Sequence, residues 1–142
     1  MSARRKSREL ALQTLYQSEL SGQSLVGTFD GLCAHFEVSR KAVPYARELV
    51  AGVADRRARI DGLIQEHAQH WRLGRMSVID RNILRLATFE LVFGEQVPPS
   101  VIINEALEIA KRFSTDEAAP FINGILDAIR KSVLSDGESG KG

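Results

Sequence analysis

The sequence predicts an all-α domain, and three observations predict it. Apolar residues recur three and four apart along most of the chain, the period that turns one side of a helix inward. No stretch alternates apolar and polar residues convincingly enough to argue for a strand. Cap and breaker residues fall between the periodic stretches, at Ser21-Gly22, Pro44, Ser77, Pro98-Pro99 and Ser114.

The first helix is expected from about Ala3 to Leu20, with Ala11, Leu12, Leu15 and Tyr16 inward, and Ser21-Gly22 ends it. A second carries Val26, Phe29, Leu32, Cys33 and Phe36 on one face. Pro44 suits the first turn of a third, where its missing N–H would have had no helical partner. Tyr45, Leu49 and Val53 share that helix's inner face, and the stripe continues through Ile60, Leu63, Ile64, His67 and Trp71. The pattern fits one long helix or two with a bend near Gly52 or Asp55.

Ser77-Val-Ile-Asp80 reads as a capping box in its acidic variant, opening a helix from Val78 to about Phe93. That helix is apolar almost all round, with Arg81, Arg85 and Thr88 as its one coherent polar strip, so it belongs at the centre of a bundle. Glu90 interrupts it and, if buried, requires a partner such as a nearby arginine. After a connector from Gly94 to Pro99, the next helix buries Ile102, Ala106, Ile109, Ala110 and Phe113. Ser114-Thr-Asp-Glu117 offers a further capping box, and Pro120 suits the start of a last helix lined by Ile122, Ile125, Leu126, Ile129 and Val133.

These elements predict one helical domain over residues 1–134, built from two small bundles at about 1–71 and 72–134. Residues 135–142 (Ser-Asp-Gly-Glu-Ser-Gly-Lys-Gly) have the composition of a disordered tail.

Composition narrows the function. At 142 residues the chain suits one ordinary domain. No apolar run approaches the ~20 residues of a membrane span, and the segment after the basic start is too polar for a signal peptide. Cys33 is the only cysteine, so no internal disulfide can form and a cytoplasmic location is expected. His67 and His70 sit one turn apart, but only Cys33 and His35 could complete a nitrogen- or sulfur-rich metal site. His67 continues an apolar stripe and Cys33 an inner face, so packing roles are expected and no metal or cofactor. No phosphate loop, nucleophile elbow or carboxylate pair stands out, which excludes the usual enzyme classes.

Recognition is what remains. Arg4, Arg5, Lys6 and Arg8 crowd the start of the first helix, where positive charge opposes the helix dipole. Nucleic-acid phosphates would give such a cluster a purpose, although a solvated basic terminus is the plain alternative. Tyr16 and Phe121 could stack on unpaired bases. Arg72, Arg75, Arg81 and Arg85 form a second basic surface near the central helix.

Several segments resemble one family, and they do so in order. They are Arg4-Arg5-Lys6-Ser7-Arg8-Glu9-Leu10-Ala11-Leu12-Gln13-Thr14-Leu15-Tyr16-Gln17, then Trp71 with the Asp80–Leu91 stretch, then Val97-Pro98 with Ile103-Asn104-Glu105-Ala106. Ala110-Lys111-Arg112-Phe113 and Phe121-Ile122-Asn123-Gly124-Ile125-Leu126-Asp127 complete the set. Together they resemble the bacterial transcription antitermination factor NusB family over roughly Arg4 to Ile129.

The resemblance implies two three-helix subdomains without catalysis. It implies binding of boxA RNA in ribosomal RNA leader transcripts, together with the small-subunit ribosomal protein NusE. Through other Nus factors the complex would join the RNA polymerase elongation complex and carry it past terminators. By the same likeness Arg4, Arg5, Lys6 and Arg8 would hold phosphates, and Tyr16, Glu117 and Phe121 would lie along the RNA. Asp80 would face NusE, with Arg81, Arg85 and Arg75 beside it.

Ser114-Thr115 stands where the family often has a glycine, and Pro120 where relatives can be basic, so one phosphate contact is expected to be absent. A helical module like that of ribosomal RNA methyltransferases and a protein-only adaptor stay open as alternatives, as does pairing into a homodimer.

Overall fold

Gly22 and Ser77 cap helices where the sequence placed them, and Ser2 and Ser24 add two caps it had not marked. In the computed structural model, which describes residues 2–94 and 97–141 with side chains up to residue 134, Ser2 opens the first helix. This helix, α1 (Ala3–Ser21), begins with the Ser2 hydroxyl oxygen accepting the Arg5 N–H at 3.1 Å. It ends at Gly22, whose φ of 77° is a left-handed conformation that glycine adopts without steric cost. Ser24 caps α2 (Leu25–His35) by accepting the Gly27 N–H.

Pro44 lies in the first turn of α3 (Val43–Asp55), and α4 (Arg57–His67) follows after a break at Arg56. The apolar stripe from Tyr45 to His67 is therefore carried by two helices. After a short 3-10 turn at Leu73–Arg75, Ser77 accepts the Asp80 N–H at 3.1 Å and opens α5 (Val78–Phe93). The chain closes with α6 (Pro99–Phe113) and α7 (Ala118–Lys141). Among the described residues there is no strand and no helix long and apolar enough to cross a membrane. Of the disordered tail expected at 135–142, residues 135–141 are described in backbone only, as the last turns of α7, and residue 142 lies outside the described residues.

Helices α1, α2 and α3 pack on one another, whereas α4 packs on α5 and α7. By packing, the first bundle thus ends at the α3–α4 break, ahead of the boundary expected near residue 71. A single cluster of buried apolar side chains draws on all seven helices, with α5 in contact with α1, α3, α4, α6 and α7. Every residue of α5 from Asn82 to Thr88 is buried, as its nearly continuous apolar circumference requires. Gly52 lets α3 approach this helix so closely that the Phe89 ring occupies the place a Cβ would take.

Five apolar residues placed inward by periodicity lie outside the core. Tyr16 is 37% exposed, and Val26, Phe36, Trp71 and Phe113 are more so. Trp71 lies beyond the end of α4, and Phe113 is the last residue of α6, where the covering neighbours run out. The second capping box does not form as expected: the Ser114 hydroxyl donates instead to Asp80 Oδ1 at 2.5 Å, tying the α6–α7 corner to α5.

Candidate nucleic-acid interface

Four basic side chains within five positions of one helix cannot share a face, because successive residues turn by about 100°. The structure separates them. Arg4 and Lys6 are exposed, Arg5 is half-buried, and Arg8 is 5% exposed.

The Arg8 guanidinium donates from Nε and Nη2 to both oxygens of Glu90, at 3.0 and 2.9 Å, and the Tyr45 hydroxyl donates to the same carboxylate. Arg8 is therefore corrected from phosphate ligand to core counter-ion; it supplies the arginine that a buried Glu90 required. Arg4 lies over the Tyr45 ring, 3.8 Å from its centre, a cation–π contact. Arg5 forms a bidentate pair with Glu105 of α6.

Burial, reinforced by the bond to Glu90, pushes the Tyr45 hydroxyl from an ordinary 10.0 up to about 12. The folded protein thus holds this proton more tightly than the unfolded chain. Its stabilisation is complete below about 10 and is lost as pH rises from there towards 12. Urea titrations of the wild type should show stability falling through that window, and Tyr45→Phe should flatten the fall. An identical alkaline slope in both proteins would contradict this assignment.

Lys6 has another role. It lines a groove of about 400 Å³ with Gln13, Tyr16, Ile79 and Phe113, on the face of α1 away from Glu90. A second concavity of about 280 Å³ is lined by Trp71, Arg75, Asp80, Glu117 and Phe121. They lie on either side of the Asp80–Ser114 bond: Ile79 of the first precedes Asp80 of the second, and Phe113 of the first precedes Ser114.

Trp71 meets Phe121 edge to face, with ring centres 5.9 Å apart. Gln65 holds the Trp71 loop in place, its amide N–H donating to the Trp71 carbonyl and its oxygen accepting the Leu73 N–H. Lys6 and Tyr16 thus line one concavity, and Arg75, Asp80, Glu117 and Phe121 line the other; Arg8 lines neither.

Arg81 and Arg85 also require correction as surface residues. Arg81 donates to Glu19 and to the Met76 carbonyl, and Arg85 donates to Asp61, Glu19 and Asn82. This network ties α5 to α1 and α4. Burial raises the Glu19 carboxyl, but hydrogen bonds from Arg81 and Arg85 outweigh it and leave the group below the usual carboxylate range.

Both arginines looked like a helix surface because their partners lie 62 and 66 residues away from them in Glu19. Trp71, Phe113 and Glu105 had not been singled out for this site. Their exposure or pairing depends on helix ends and on a neighbouring helix, which periodicity does not report.

Among the described residues no group of three or more histidine, cysteine, aspartate or glutamate side chains could hold a metal. His67 Nδ1 lies 2.8 Å from the Leu63 carbonyl, a packing arrangement, and His70 is exposed.

The comparisons with known proteins agree with this architecture. The NusB family model matches residues 5–131. The transcription antitermination protein NusB of Desulfosudis oleivorans is 45% identical over 137 residues, covering 94% of this chain and 88% of that protein. The solved T. maritima NusB superposes with a TM-score of 0.83 at 38% identity, covering 92% of each chain. A structure of the antitermination factors NusB and NusE in complex with double-stranded RNA superposes with a TM-score of 0.83 at 28% identity, covering 93% of this chain and 98% of that one.

Proposed function

The chain belongs to the NusB family, whose members are transcription antitermination proteins and not enzymes, and from that premise we propose that it binds boxA RNA of ribosomal RNA leader transcripts together with NusE. In this reading it acts in the cytoplasm as one helical domain over residues 1–134. It works as an adaptor, its RNA-loaded heterodimer reaching RNA polymerase through other Nus factors. The observation that supports this best is that Lys6, Tyr16 and Phe113 line one concavity and Trp71, Glu117 and Phe121 another, on either side of the Asp80–Ser114 bond.

A single strand suits this surface. Phosphates meet Arg4 and Lys6 beside α1, while unpaired bases stack on Tyr16 and Phe121, which are aromatic and partly exposed. Glu117, an acceptor when ionised, can bond base amino groups and reject a misplaced phosphate. Arg5 takes part as half of its pair with Glu105.

The test is a salt titration with boxA-containing RNA and a scrambled strand. Arg4→Ala combined with Lys6→Ala should weaken binding and make log K less steep against log salt by up to ~0.7 for each lost contact to a single strand. Equal, negligible binding of both RNAs by the wild type would favour a protein-only adaptor.

Asp80 stands at the joint of the two concavities and is proposed, with Arg75, to face NusE. Asp80→Asn keeps an oxygen for the Ser114 hydroxyl while removing the charge. NusE should then bind about tenfold more weakly, roughly the loss of one charge-assisted bond at ~1.5 kcal/mol. Unchanged affinity by calorimetry would move the partner face elsewhere.

A further inference from the structure

We propose that Glu105 sets the strength of RNA-backbone binding as a positioning residue, holding Arg5 in a neutral pair so that Arg5 orients a phosphate without adding salt-sensitive affinity. The inference rests on the RNA reading above and concerns the flank beside the Lys6 groove, since Glu9 lines both that groove and the concavity that Arg5 lines.

The geometry carries it. Arg5 donates from Nε to one Glu105 oxygen at 2.7 Å and from Nη2 to the other at 2.9 Å, the fork-to-fork arrangement that fixes a guanidinium in one plane. The carboxylate is the better covered partner, at 16% exposure against 34% for the arginine side chain. The edge of the guanidinium carrying Nη1 does not bond the carboxylate and can still donate to an incoming phosphate oxygen. Glu105 is ionised whenever RNA would be present, since the hydrogen bond from Arg5 holds its carboxyl below the usual range.

The neighbouring charges follow the same pattern. Arg112 pairs with Glu9 at 2.8 Å, and Lys111 lies 3.4 Å from Glu108. The flank between α1 and α6 therefore sets Arg5, Lys111 and Arg112 against Glu9, Glu105 and Glu108.

Counterion release explains what this does. A cation lowers the salt tolerance of binding only to the extent that it neutralises a phosphate and frees the ions condensed there. A guanidinium already matched by a carboxylate brings no net charge to the strand. Its contribution becomes direction, through a planar donor held still, and the salt-dependent share falls to residues such as Lys6. If Arg5 instead left Glu105 to embrace a phosphate, a largely covered carboxylate would be stranded, which opposes that exchange.

The experiment measures affinity for a boxA-containing single-stranded RNA across salt concentrations, using the full chain. Glu105→Gln keeps a hydrogen-bond acceptor for Arg5 but removes the negative charge. It should bind more tightly at low salt and steepen the log–log slope by up to ~0.7, so that a fourfold rise in salt costs this variant an extra ~2.6-fold in affinity. Arg5→Ala combined with Glu105→Ala removes a neutral pair and leaves no stranded charge. It should weaken binding by a similar factor at every salt concentration, with the wild-type slope.

A Glu105→Gln slope equal to the wild type's, or a double variant whose slope becomes shallower, would overturn this inference alone. Urea unfolding of each variant separates a folding defect from a binding effect, and the double variant carries the test if Glu105→Gln does not fold. Failure of the wild type to bind the RNA would overturn the RNA reading and this inference with it.

Discussion

Arg8→Ala should lower the free energy of unfolding by about 3–5 kcal/mol, the largest loss expected from any single cationic residue here. Arg8 and Glu90 have side chains only 6% and 4% exposed, and the guanidinium satisfies both carboxylate oxygens. Truncation leaves Glu90 within the core, with the Tyr45 hydroxyl as its remaining recorded partner. A stranded buried charge is the expensive outcome, more so than the absence of the pair itself. Removing both charges with apolar residues of similar volume, as in Arg8→Met with Glu90→Leu, should therefore recover most of the loss.

The measurement is a urea transition for each variant, with the denaturant slope compared as a check on two-state behaviour. A loss below ~1 kcal/mol for Arg8→Ala would show that the pair is far better solvated than its burial implies. The prediction also bears on function. Weak RNA binding by such a variant would reflect unfolding, so the cluster's role must be tested at Arg4 and Lys6.

Gly52→Ala should destabilise by about 1–3 kcal/mol, although alanine is ordinarily the better helix former by ~1 kcal/mol. A Cβ at this position would lie 2.0, 2.2 and 2.4 Å from three atoms of the Phe89 ring. The Phe89 ring meets Phe93 edge to face at 6.1 Å, so moving it aside gives up that contact. Either the ring must shift or α3 and α5 must separate, disturbing the wall that holds Tyr45 against Glu90.

Gly62 in α4 supplies the internal control, because nothing lies within 4 Å of its would-be Cβ. Gly62→Ala should stabilise by a few tenths to ~1 kcal/mol. The opposite signs can be read from two thermal or urea transitions. If both substitutions stabilise, the close approach of α3 to α5 is wrong.

Glu90 illustrates how far residue-level reasoning reaches. Its place in an apolar helix was enough to demand a cationic partner, and Arg8 is that partner. The same reasoning failed for Arg8 viewed from its own segment, where it looked like one of four equivalent phosphate ligands. Arg81 and Arg85 failed likewise: a polar strip on a central helix suggests a solvent face, yet Glu19 and Asp61 meet it inside the fold. Tyr16, Glu117 and Phe121 are different again. The resemblance brought them together as a group, and the structure places them in two grooves on either side of the Asp80–Ser114 bond.

The helical class, the order of the elements, the caps at Ser77 and Gly22, and the family are all legible in the residues alone. Those properties depend on periodicity and on residues within a turn or two of each other. Where α3 ends and α4 begins, which apolar residues escape burial, and which arginines face water emerge only from how the helices pack. The physical reason is separation along the chain. Arg5 and Arg8 find their carboxylates 100 and 82 residues away, so their availability to a phosphate depends on how helices pack.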